Sequence, residues 1–270
     1  CYANPSSPYK MAHEAAAMLA DARRTLAEAV NAPPHTLLFT SCATESNNSL
    51  RSIVPLLPED KRTILYNPME HPSVLETLFY LERRGFRLAA LPPDRQGRIA
   101  PDALPRFWSD SVGLVVCMCA NNETGTLYDI RSMAGLARER GALFFSDMVQ
   151  ALGKIPVDLL ASGVDYASFS AHKIHGPKGV GALYVREGAP FAPFLLGGHQ
   201  EGGLRAGTEG LHSIAGFAAA VQDAPQMLSR AAALRGRRDA FIAALREMAP
   251  DCVINSPSGD ECQAGTVSVT

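Results

Sequence analysis

No apolar run in these 270 residues approaches the roughly 18 that a membrane-spanning helix needs, and no charged-then-apolar segment opens the chain. A membrane is therefore not an expected partner, and the expected compartment is the cytoplasm. Neither sign of charge is in excess. The 25 Lys and Arg face 27 Asp and Glu, a formal net charge of −2, so nothing draws the chain generally to nucleic acid. A small, neutral or zwitterionic partner fits that balance better. Cysteine is scarce and scattered, at positions 1, 42, 117, 119, 252 and 262, which excludes a disulfide scaffold and predicts reduced thiols. Cys117 and Cys119 are the one close pair, but no second pair or nearby His completes a metal site, and they are predicted to be packed thiols on one face of a strand. No G-x-G-x-x-G follows the first predicted strand and no Walker sequence occurs, so the common nucleotide cradles are missing. Internal repeats and low-complexity segments are absent too.

What is present is a chain with 47% hydrophobic residues, long enough for one large domain or one domain plus part of another. Residues 9–30 carry apolar side chains at helical spacing, with Met11, Ala15, Met18, Ala22, Leu26 and Ala29 on the predicted buried stripe. Short apolar runs at 36–40, 63–67, 86–90, 112–119, 142–146, 165–169 and 182–185 read as strands. Helical segments at 41–57, 72–84, 101–108 and 131–140 alternate with most of them. Such alternation predicts an α/β fold, a mostly parallel sheet sandwiched by helices. Residues 211–248 read as two helices divided near Pro225, and the remainder as a strand, a loop and a second strand beginning. The expected organisation is a large domain over 1–210, then a helical connector and the start of a smaller α+β domain over 211–270.

In a parallel sheet, ligands collect beyond the carboxyl ends of the strands, so the polar residues there carry the functional reading. After TLLFT comes SCATES, small and hydroxyl residues at a helix start, suited to a phosphate or simply to helix capping. Glu70-His71-Pro72 places an imidazole at the next helix start, as a cap or as a functional group. Asn121 and Asn122 are turn formers or carboxylate-binding amides. Asp147 directly follows a buried strand, which is unfavourable for an acid without a partner, and Gln150 lies three residues on. Lys173, in SAHKIHGPKGVG, is held in a turn between two strands; desolvation there would favour the neutral amine that a Schiff base requires, although a surface turn lysine reads the same way. The loop GGHQEGGLRAGT, residues 197–208, could bring backbone amides and Arg205 to an anion or be a flexible surface loop. A lysine, a strand-end carboxylate and a phosphate seat together match the needs of pyridoxal 5'-phosphate.

The motifs NPSS at Asn4, FTSCATESNN at Phe39, EHPSVL at Glu70, NNETG at Asn121, DMVQALGKIPVDL at Asp147, SFSAHKIHGPKGVGALYVR at Ser168 and GGHQEGGLRAGT at Gly197 occur in one order across nearly the whole chain. In these the chain resembles the cysteine desulfurases of nitrogenase and iron-sulfur cluster assembly, in the class V aminotransferase group with fold type I. The resemblance implies a pyridoxal phosphate enzyme converting L-cysteine to L-alanine and a protein-bound persulfide. It implies Lys173 as the Schiff-base lysine and α-proton carrier, His71 stacked on the cofactor ring, Asp147 on the ring nitrogen and Gln150 on the ring hydroxyl. Ala43, Thr44, Ser170 and His172 would hold the phosphate, and Asn122 would lie near the ring oxygen and the substrate carboxylate. Thr208 would reach the phosphate of the other subunit of a homodimer. The chain departs from the pattern at Cys42, where glycine is usual, and at His199, Met148 and Val149. By the same resemblance, an opening strand near the cofactor, the sulfur-accepting cysteine and the carboxylate-gripping arginine fall outside these 270 residues, and Cys262 lies too early to substitute. The alternatives are a selenocysteine lyase or another class V enzyme, and a non-catalytic cofactor-binding scaffold or sulfur-relay partner.

Overall fold

Helix α1 (Lys10–Ala29) buries Ala12, Ala15, Ala22, Leu26 and Ala27, while Met11 and Met18 are 50% and 42% exposed. The buried stripe is thus rotated from the expected one towards alanine. The reason is the neighbour: α7 (Leu211–Gln222) packs along α1, and small side chains let two helix backbones approach. The computed structural model describes residues 3–193 and 195–270; Cys1 lies outside them.

Seven strands form one sheet: β1 (Leu37–Thr40), β2 (Thr63–Tyr66), β3 (Arg87–Ala90), β4 (Val112–Val116), β5 (Leu143–Asp147), β6 (Tyr166–Ser170) and β7 (Gly181–Val185). Their order is β1-β7-β6-β5-β4-β2-β3. The β6–β5–β4–β2–β3 run is parallel, and β7 lies antiparallel to both β6 and β1. The expected mostly parallel α/β sheet is therefore present. Alternate residues feed opposite layers. Leu37, Leu65, Val115 and Phe144 join α1, α5 (Ile130–Glu139) and α7 on one face. Leu38, Ile64, Leu114 and Phe145 join α3 (Leu50–Ile53) and α4 (Pro72–Glu82) on the other. Each fully buried Leu or Phe here contributes on the order of 1.5–3 kcal/mol relative to its exposed state.

Two expected helices are shorter or tighter than periodicity implied. Residues 41–57 divide into α2 (Ala43–Asn48), α3 and a 3₁₀ turn over Val54–Leu56, where Pro55 removes an amide donor and blocks further α-helix. Pro101–Phe107 is a 3₁₀ helix with Pro105 inside it, for the same reason. Beyond the short α6 (Leu159–Ser162) and α7, α8 (Ala224–Ser229) and α9 (Ala231–Met248) run to the tail. Within α9 only Arg238 is buried, and its guanidinium donates to the Gln263 carbonyl at 3.0 Å, tying helix to tail. Residues 253–255 meet 268–270 through Val253 N to Thr270 O at 2.8 Å and the reverse bond at 3.0 Å, a single antiparallel bridge of Ile254 with Val269 where two strands were expected. No helix among the described residues is long and apolar enough to cross a membrane.

Candidate active site

Because β2, β4, β5 and β6 are parallel neighbours, the segments leaving their carboxyl ends converge on one edge of the sheet. With the start of α2 they line a cavity of about 240 Å³. β5 delivers Asp147 as its last residue, 5% exposed between β4 and β6. Its Oδ1 accepts the Val149 amide at 3.0 Å, and its Oδ2 accepts Asn47 Nδ2 at 2.8 Å. No Lys or Arg forms an ion pair with it among the described residues. Burial pushes the Asp147 pKa up, while its two hydrogen bonds and the charges of His71 and Lys173 act the other way.

His71 precedes α4 with extended backbone, and its Nδ1 accepts the Ser73 amide at 3.1 Å and lies 2.8 Å from Ser73 Oγ. The imidazole is both a helix cap and a wall of the cavity. Ser170 ends β6, with its hydroxyl 2.8 Å from His172 Nδ1, and Lys173 follows in the 3₁₀ turn Ala171–Ile174. Burial and the neighbouring Lys173 and Lys178 hold His172 below the ordinary imidazole value. Ala43, Thr44, Asn122, Gln150, Ser170, His172 and Lys173 all line the cavity with His71 and Asp147.

Lys173 is exposed, not desolvated as its place between two strands suggested, because the turn lifts it to the mouth where the cavity meets a second one of about 320 Å³. Lys154, His175 and Arg230 line that second space, and the Lys154 pKa is lowered by burial and by the charge of Lys173. Thr208 does not enter the main cavity. It lines a separate space of about 130 Å³ behind the α2 start, beside Thr40, Ser41 and Arg205. Nor does the structure leave Arg205 free for an anion: it holds Glu45 of α2 in a two-pronged pair at 2.8 and 3.0 Å. The glycine-rich loop is anchored a second time, by Glu201, which is buried against Arg23 and accepts the Phe39 amide at 2.9 Å.

Sequence reasoning missed Asn47, Ser73 and Glu70. Asn47 follows Ala43 by one helical turn and so shares its face, which is a readable signal. Ser73 sits two residues after a capping His71. Glu70 is 4% exposed; its Oε1 accepts the Met118 amide and its Oε2 has no partner. Burial pushes its pKa well above the usual carboxylate range, and the nearby Asp147 adds to the shift. Cys117 and Cys119 prolong β4 past Val116, their amides still donating to Phe145 O at 3.0 Å and Asp147 O at 2.9 Å of β5. Cys117 is fully buried and Cys119 only partly so by surface, although burial still pushes the Cys119 thiol up to about 12.

The sequence matches the family described as aminotransferase class-V over residues 1–270. The chain belongs to the class-V aminotransferase family. It is 39% identical over 255 residues to a cysteine desulfurase of Nostoc sp., covering 94% of this chain and 64% of that protein. It is 40% identical over 250 residues to the cysteine desulfurase NifS of Azotobacter vinelandii, covering 90% and 62%. The chain thus spans a little under two thirds of the length of these curated relatives. A solved NifS-like protein superposes with a TM-score of 0.95 at 38% identity, covering 100% of this chain and 74% of that one. A structure described as SspA in complex with cysteine gives 0.84 at 30% identity, covering 100% and 76%. The architecture is that of the fold type I members of this family.

Proposed function

We propose that this class-V chain forms the pyridoxal phosphate-binding part of a cysteine desulfurase, which takes sulfur from L-cysteine onto a thiol and leaves L-alanine. The observation that carries the reading is the buried Asp147 carboxylate, without an ion-pair partner among the described residues, in the same cavity as Lys173. Two further features support the fit. A Cβ on Gly181 would lie 2.6 Å from Phe169 O and 2.7 Å from the Cys42 carbonyl carbon, so only glycine lets the α2 start lie this close to the sheet, with Ala43 and Thr44 in the cavity wall. Ser170 and His172 add a hydroxyl and an imidazole to that wall.

When bound, the cofactor supplies an aldehyde that condenses with amines and a ring that accepts electrons from the substrate. The other tasks belong to the chain. Asp147 would stabilise a cation on the ring nitrogen, and its own ionised form would be favoured in return. Gln150 and Asn122 would donate amide hydrogens to the ring oxygen, and His71 would form the wall over the ring. The Lys173 Nζ would hold the cofactor and would then carry the proton at the substrate α-carbon. Lys173 borders a second cavity beside the first, through which an amino acid would approach with the cofactor bound. The C–S bond of cysteine breaks as a thiolate takes its sulfur, forming a persulfide. We assign that thiolate, as the resemblance implies, to a residue outside these 270; Cys262 is fully buried, with its thiol near the Thr124 and Thr266 carbonyls. The reading includes a homodimer in which Thr208 serves the partner's site, a cytoplasmic setting, and a sulfur acceptor for cluster assembly. Residues 1–210 form the cofactor-binding unit in it, and 211–270 the connector and the start of a smaller domain, with α7 joining the two by its packing on α1.

Pyridoxal phosphate added to the purified chain is expected to give a visible absorption band that Lys173→Ala abolishes. A colourless wild-type chain, or an unchanged band in the variant, would sink the cofactor assignment.

A further inference from the structure

Asn47, Ser73, His71 and Asp147 form an unbroken hydrogen-bonded chain, and the directions of its bonds are determined by chemistry. Asn47 Nδ2 lies 2.8 Å from Asp147 Oδ2 and 2.9 Å from Ser73 Oγ. An amide nitrogen has two hydrogens and no acceptor capacity, so both are committed, one to each oxygen. Ser73 Oγ then accepts from Asn47, which leaves its own hydrogen for His71 Nδ1 at 2.8 Å. The Ser73 backbone N–H, which can only donate, points at the same Nδ1 from 3.1 Å. The imidazole Nδ1 is therefore an acceptor from two directions, and a neutral ring in that position carries its proton on Nε2. The reverse orientation of Asn47 would set its amide oxygen against the Asp147 carboxylate, acceptor against acceptor, in a place where Asn47 is 0% and Asp147 5% exposed. The remaining Asn47 oxygen is buried with no partner, which shows that the donors and not the acceptor determine how the amide sits.

We propose that Asn47 and Ser73 are positioning residues that lock His71 as the Nε2–H tautomer and bind it to Asp147 as one unit. His71 then presents a donor to the cavity. It can give a hydrogen bond at Nε2 and cannot receive a proton there, which leaves Lys173 as the acceptor of the substrate's proton. That last consequence rests on the function proposed above; the tautomer itself does not.

The test is long-range ¹H–¹⁵N correlation of the histidine rings in the ¹⁵N-labelled full chain at a pH where His71 is neutral, with His71→Gln identifying its signals. His71 is expected to show an unprotonated Nδ1 and a protonated Nε2. In Ser73→Ala and Asn47→Ala the tautomer ratio should move towards Nδ1–H by about fivefold, the worth of one hydrogen bond of ordinary strength. Ser73→Thr, which keeps the hydroxyl, should restore the wild-type pattern. A purely structural role for Ser73 and Asn47 would alter the melting temperature without moving the ring nitrogens. An Nδ1–H tautomer in the wild type, or a ratio that neither alanine variant changes while both remain folded by circular dichroism, would overturn the proposal. The cofactor-free chain suffices for this measurement, so failure to bind pyridoxal phosphate would overturn the proposed function and leave the tautomer standing.

Discussion

Gly181→Ala is the substitution whose effect can be worked most directly from the structure. An added Cβ would stand 2.6 Å from Phe169 O, 2.7 Å from the Cys42 carbonyl carbon and 3.0 Å from Ala43 N, whereas ordinary contact begins at 3.4 Å. The worst of these falls short by 0.8 Å. All three neighbours are backbone, in β6 and at the start of α2, so no side chain can rotate away and the helix must move off the sheet. Overpacking of this kind costs typically 1–3 kcal/mol, and an unyielding neighbour places Gly181→Ala near the upper end, at about 2–3 kcal/mol. For a chain of this size that corresponds to a melting point lower by roughly 4–12 °C. The displaced turn carries Ala43 and Thr44, so pyridoxal phosphate binding is expected to weaken about tenfold as one phosphate contact is lost. Gly135→Ala in α5 and Gly236→Ala in α9 are the matched controls, because nothing lies within 4 Å of either added Cβ. Both should stabilise the chain by about 0.5–1 kcal/mol, through helix propensity and a less free unfolded state. Differential scanning fluorimetry and an absorbance titration with the cofactor measure the two effects. A Gly181→Ala variant that melts with the wild type and binds equally well would refute the argument that backbone crowding holds α2 in place.

Glu201→Ala removes the charge partner of Arg23, leaving it the Leu37 carbonyl, and removes the acceptor of the Phe39 amide. Since Arg23 keeps 18% of its side-chain exposure, the expected loss is about 3 kcal/mol, the low end for breaking a buried pair, read as a lower urea midpoint. Glu70→Gln should show a stability difference from the wild type that depends on pH. The Glu70 pKa is raised in the folded chain, so its favourable neutral form is fully present below the unfolded value of about 4.3 and is lost as pH rises through the folded value. The variant keeps an acceptor for the Met118 amide and has no charge to bury. Its urea midpoint relative to wild type should therefore climb from acid to neutral pH; a flat or falling difference would show that Glu70 is not held neutral.

Much of this arrangement is legible in the residues alone. The alternation of short apolar runs with helical segments predicts the parallel sheet, and the polar residues after the runs at 36–40, 63–67, 112–119, 142–146 and 165–169 are the ones that meet in the cavity. What eluded the pattern has particular causes. Met11 and Met18 belong to the apolar stripe of α1 by hydrophobicity, but the crossing of α7 selects alanine for contact. Arg205 reads as an anion ligand because it sits among glycines, yet Glu45 is its partner from a distance of 160 residues. Asn47 reads as one polar residue among many in TESNN, and its two donors acquire meaning only against Ser73 and Asp147.

The sequence by itself determined the order of elements, the strand ends that carry chemistry and the presence of a lysine and a carboxylate suited to one cofactor. Those properties are local: they depend on periodicity, on turn residues and on which side chain follows which strand. Only the tertiary structure decided which of those side chains face one another, that Arg205 is spent on Glu45, that Lys173 stands open between two cavities, and that His71 and Asp147 are joined through Asn47. These depend on the strand order β6-β5-β4-β2 and on the close seating of α2 against β6 and β7, contacts between residues far apart in the chain that no local pattern encodes.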